Sequence, residues 1–153
     1  MKTLTWRVAS IIAVVLCIST VFAQSSALDP VRLSAEEMKD MNWVLMPIGV
    51  HRAVVAGDDK KPGIYAYRTR FPVGFKSQPH FHSDDRIVTV LSGTLYVAFG
   101  EQFDEGEMKS LPAGSVFTEP AKQAHYVWAK DSEVMIQIIG IGPSGVVFIP
   151  PKQ

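Results

Sequence analysis

The stretch Gly74–Gly93, "GFKSQPHFHSDDRIVTVLSG", decides how the chain is read. Two of the chain's four histidines, His80 and His82, sit one residue apart in it. Alternate side chains of a β-strand share a face, so both imidazoles point the same way and Phe81 points the other. Arg86 has the same parity, provided no bulge intervenes. The residues that follow read as a β-hairpin: Ile87 to Leu91, a turn at Ser92-Gly93, then Thr94 to Phe99.

The same texture extends in both directions. Upstream, "HRAVVAGDDKKPGIYAYRTRF" (51–71) holds two β-rich segments around a Gly-Asp-Asp and Pro-Gly turn region. Downstream come the charged loop "EQFDEGEMK", then "LPAGSVFTEPAKQAHYVWA", "EVMIQIIGIG" and "GVVFIP". Short strands broken by Gly and Pro, with no alternation of strand and helix, predict an all-β antiparallel sandwich or barrel. Ahead of them, Ser34 with Glu37 three residues on fits a capping box, which predicts a short helical turn.

The N-terminus reads differently. Lys2 and Arg7 precede the apolar run Val8–Ile18, and Val21 and Ala23 supply a small-x-small pattern. This is the order of a secretory signal peptide, cleaved after Ala23. The run is shorter than the ~20 residues that span a bilayer, and Leu16 before Cys17 does not suit lipidation. The expected organisation is therefore 1–23 signal peptide, 24–43 lead segment and 44–153 β-barrel domain, exported to periplasm or medium. Loss of Lys2 and Arg7 leaves 13 basic against 15 acidic residues. That balance offers no basic surface for nucleic acid, and no membrane association is expected of the mature form. Cys17, the only cysteine, leaves with the signal, so disulfides and thiol catalysis are excluded for the mature chain.

A third histidine, His125, lies in another segment that reads as strand. Three histidines from two strands, converging inside a barrel, make a facial ligand set for a divalent metal. Each ring then needs a partner for its other nitrogen. No G-x-S-x-G, phosphate loop or Ser-His-Asp pattern competes with this reading.

The spacing Gly74, five residues, His80, one residue, His82, three residues, Arg86, six residues, Gly93 resembles the first motif of the cupin superfamily, G-x5-H-x-H-x3-E-x6-G. Gly114, five residues, Pro120, Ala121, Lys122, two residues, His125, three residues, Ala129 is similar to the second, G-x5-P-x-G-x2-H-x3-N. The resemblance implies a small, single-domain, cupin type-2-like protein: one RmlC-like jelly-roll barrel of six to eight strands. It implies His80, His82 and His125 as ligands of iron, manganese, zinc or nickel, and dioxygenase-, isomerase- or lyase-type chemistry on a small organic molecule. A homodimer is the default, since pairing hides sheet edges.

The departures define the open question. Lys122 replaces a glycine and Ala129 an asparagine, both at structural positions expected to tolerate change. Arg86 stands where the superfamily has a glutamate ligand, and a guanidinium has no lone pair to give. In one reading three histidines keep the metal, and Arg86 binds a substrate carboxylate or pairs with Asp84 or Asp85. In the other the metal is lost, and Arg86 anchors a small anion in a non-catalytic pocket. A one-residue slip would bring Asp85 in as the carboxylate. Gln137, a polar residue within Val134–Ile139, is a second candidate for contact with substrate. Glu119 reads as a cap or ion-pair partner, His51 as surface, and Tyr96, Phe117, Tyr126 and Trp128 as core or interface aromatics.

Overall fold

Alternation along each strand decides what it buries. In Gly63–Phe71, Tyr65, Tyr67, Thr69 and Phe71 turn inward, while Ile64, Arg68 and Arg70 turn out. The computed structural model describes residues 28–151, so the expected signal peptide, its cleavage site at Ala23 and Cys17 lie outside the described residues. Among those residues there are eleven strands: β1 (Val44–Leu45), β2 (His51–Ala56), β3 (Gly63–Phe71), β4 (His80–His82), β5 (Arg86–Ser92) and β6 (Thr94–Phe99), then β7 (Lys109–Pro112), β8 (Val116–Glu119), β9 (His125–Trp128), β10 (Val134–Gly142) and β11 (Val146–Phe148).

They form two antiparallel sheets, ordered β1-β2-β3-β10-β5-β8 and β11-β4-β9-β6-β7. Val88, Val90, Leu95 and Val134 are fully buried in the core between them. The all-β jelly roll expected from the sequence is the fold observed. Residues 35–40 form successive turns and not an α-helix, although Glu37 does accept hydrogen bonds from both Ser34 N–H and Ser34 Oγ at 2.7 Å.

One expectation fails. β5 and β6 are not a hairpin: β5 pairs with β10 and β8, and β6 with β7 and β9. At Gly93 the chain turns a corner from the larger sheet to the smaller. The glycine has φ +74°, and a Cβ there would collide with the carbonyl oxygen of Glu133. Only glycine meets both demands cheaply.

Two more crossings position the site. Residues 83–85 carry the chain from β4 to β5, and residues 120–124 carry it from β8 to β9. They are tied together. Ala121 N–H donates to Asp85 Oδ1 at 2.7 Å, and Lys122 N–H donates to the His82 carbonyl at 2.8 Å. Asp85 thus fastens two loops on the exposed side and supplies no ligand. Lys122 has φ +63°, the left-handed conformation that explains glycine in the superfamily motif. Ala129 is fully buried and its backbone bonds to Gly74 and Phe75.

Candidate metal centre

The smaller sheet supplies every histidine of the cluster. His80 and His125 are direct partners across β4 and β9, so both face inward, and His82 lies two residues further along the same face. The ring centroids are 4.4 Å apart for His80 and His125, 5.0 Å for His80 and His82, and 5.2 Å for His82 and His125. One nitrogen from each lies within 4.8 Å of the others.

Backbone carbonyls fix the tautomers. The Nδ1 atoms of His80, His82 and His125 face the carbonyls of Gln78, Gly145 and Gln123 at 2.7, 3.1 and 3.1 Å. A carbonyl can only accept, so each Nδ1 carries a hydrogen and each Nε2 is turned to the interior. That is the arrangement metal-ligating histidines adopt. Burial and then the neighbouring His125 push the pKa of His80 down to about 4. Burial and then Arg86 push that of His82 down to about 3. Both rings are therefore neutral and ready to ligate at neutral pH.

The larger sheet faces them with a charged pair. Arg86 on β5 and Glu119 on β8 are direct register partners, both buried and inward. The sequence alone marks Glu119 only as a cap or ion-pair partner. Its Oε1 lies 3.4 Å from His125 Nε2 and its Oε2 lies 3.5 Å from His82 Nε2. Burial opposes its ionisation, but His125, His82 and Arg86 outweigh that and hold it below the usual carboxylate pKa. The signal that finds it is long-range: its parity with Phe117 becomes informative only once β8 is known to lie beside β5.

Arg86 does not swing to the mouth. Its Nε donates to Asp84 Oδ2 at 3.3 Å, its Nη2 bonds Ser144 Oγ, and its Nη1 lies 3.6 Å from Glu119 Oε2. Asp84 also accepts the Tyr65 hydroxyl at 2.5 Å. Pairing with Asp84, one of the options open from sequence, is the one observed. Gln137 is a correction. Ile136 and Ile138 face the core, so Gln137 faces the outer side of β10, where it accepts from Arg68 Nε at 3.2 Å.

Above the histidines opens a cavity of about 660 Å³. Its walls are largely apolar, with Phe71, Phe75, Ile136, Ile138 and Phe148 among them, and Tyr67 and Thr69 add hydroxyls. Arg52 and Lys76 also line it, paired with Asp59 at 3.0 Å and Glu105 at 2.7 Å. The volume lies within the range of small-ligand sites, about 300–1,000 Å³.

The donor set fits a divalent metal. Three imidazoles converge, their outer nitrogens are anchored, and His125 Nε2 is buried without a hydrogen-bond partner. A jelly roll with an inward histidine triad, built where two motif segments meet, defines a barrel of the metal-site cupin type. A family model described as "Cupin domain" matches residues 67–140, a span that contains His80, His82, Arg86, Glu119 and His125. Residues 67–140 thus carry a cupin domain.

Solved structures agree on the fold. The polyketide cyclase RemF from Streptomyces resistomycificus matches with TM-score 0.63 and 13% identity, over 82% of this chain and 89% of that one. An RmlC-like cupin from Shewanella frigidimarina matches with TM-score 0.58 and 16% identity, over 74% and 92%. KdgF from a Halomonas species matches with TM-score 0.55 and 23% identity, over 68% and 89%. Such identities establish the fold alone. No curated protein matches the chain.

Proposed function

We propose that this is an exported, metal-dependent cupin acting on a small organic molecule, with the metal held by His80, His82 and His125. One observation carries the reading: three imidazoles converge on a cavity with a ligand nitrogen each, every ring set by a carbonyl behind it. A bound divalent ion would supply a Lewis acid with positions open to substrate or water. The chain's own part is to hold and shield. Its apolar walls take the body of the substrate and exclude water, and Tyr67 and Thr69 offer hydroxyls to orient it. Dioxygenase, isomerase and lyase chemistry all suit such a site, and the pocket walls choose among substrates. The competing reading, an anion pocket anchored by Arg86, is disfavoured because that guanidinium is already bound to Asp84 and Ser144.

Export rests on the basic, apolar, small-x-small order of residues 1–23. A homodimer is supported by the outer face of the larger sheet, where Ile64, Ile141, Ile139 and Ile87 form an exposed apolar row across β3, β10 and β5.

One preparation tests these statements. Expressed with its own N-terminus and recovered from outside the cytoplasm, the chain should have the intact mass of 24–153 and the native mass of a dimer. Elemental analysis should find about one metal per chain, and His125→Ala should lose it while keeping its β-type circular dichroism. Wild-type protein that takes up no metal after reconstitution sinks the enzyme reading.

A further inference from the structure

The superfamily's carboxylate ligand has a replacement here, displaced across one strand pair. We propose that Glu119 is the fourth metal ligand, and that Arg86, at the glutamate's usual place, serves to hold the charge of Asp84. The inference rests on the reading that the three histidines bind a divalent ion.

The geometry makes the case. The Nε2 atoms of His82 and His125 both face the Glu119 carboxylate, His82 at 3.5 Å from Oε2 and His125 at 3.4 Å from Oε1. Glu119 Oε2 and His125 Nε2 are both buried and both lack a hydrogen-bond partner. Buried orphans of this kind are rare and expensive, and a cation between them satisfies both at once. The carboxylate straddles the two rings, and its separations of 3.4 and 3.5 Å are of the order of the ~3.4 Å between ligand atoms of one tetrahedral ion.

The balance of charge points the same way. Arg86 bonds Asp84 through Nε and Ser144 through Nη2, and it stands 3.6 Å from Glu119, too far for a hydrogen bond. One arginine beside two carboxylates leaves a single negative charge at the base of the barrel. Because Arg86 and Glu119 are direct cross-strand partners, exchanging them moves the carboxylate by only one strand spacing, about 4.8 Å.

The test uses purified full-length mature protein and Co(II), with metal affinity and the visible Co(II) absorption as readouts. Losing an outer-shell contact typically weakens metal binding about 10–100-fold, so Glu119→Gln should weaken it by more than about 100-fold and shift the absorption bands. The exchange variant R86E/E119R, which returns the carboxylate to β5, should bind Co(II) within about tenfold of wild type. Should Glu119→Gln misfold, the exchange variant still decides. Wild-type binding with Glu119→Gln unchanged in affinity and spectrum overturns this inference alone. Failure of the exchange variant to bind, although folded, also overturns it. Wild-type protein that binds no Co(II) overturns both this inference and the proposed function.

Discussion

The two sheets of this barrel contribute unlike chemistry to one site. The smaller sheet gives three imidazoles, each braced by a neighbouring carbonyl. The larger gives Arg86, Glu119 and the Tyr65 that bonds Asp84, a network in which charges are balanced by other charges. Imidazoles keep a local arrangement, because each depends only on its own strand and a backbone oxygen. Charges do not, because each depends on partners from β3, the β4–β5 crossing and the segment after β10. The smaller sheet should therefore fail by losing ligand, and the larger by losing stability.

The sharpest way to test that contrast is Arg86→Met. It removes the cation from between two buried carboxylates. Breaking a buried pair by deleting one partner costs about 3–5 kcal/mol, so urea unfolding of the metal-free protein should show a loss of that order. A loss below about 1 kcal/mol would mean that the network on the larger sheet is not structural.

Acid sets the next effect. His80 and His82 titrate near 4 and 3 in the folded chain, against about 6.5 unfolded. Below about pH 6.5 the unfolded chain binds protons that the folded chain refuses, so stability present above that pH is lost as pH falls toward 4. Glu119, with its folded pKa lowered, extends the loss in the same direction at still lower pH. Thermal unfolding of metal-free protein should show a midpoint falling steadily from pH 7 to pH 4. A flat profile would contradict the burial of the histidines.

The smallest effect concerns the crossing that joins the sheets. Lys122 holds a left-handed backbone that glycine adopts without strain. Lys122→Gly should stabilise the protein by up to about 1 kcal/mol, the relief of strain being partly offset by chain entropy. Chemical denaturation measures it, and a destabilised variant would show that the lysine side chain has a role of its own.

These contrasts also explain what the sequence could and could not disclose. The histidines are legible because parity along "HFH" is local and the two motif spacings bring the third ring in. Glu119 is not, because its meaning depends on the pairing of β5 with β8. Gln137 reads as inward from sequence because β10 carries apolar residues on both faces, with Ile139 and Ile141 exposed, and alternation gives no sign there. Ser92-Gly93 misleads for a related reason. A glycine with positive φ serves a hairpin and a corner equally well, and only the partners of the next strand distinguish them.

Gly140 carries the last consequence. It sits on β10 directly between Tyr65 on β3 and Arg86 on β5, and a Cβ there would collide with the Tyr65 hydroxyl and stand 2.8 Å from Asp84 Oδ2. A single absent carbon thus gives the tyrosine its route to the aspartate that holds the arginine. Alanine at 140 would undo the arginine's support without touching a ligand, so the charge network of the larger sheet hangs on a residue with no side chain at all.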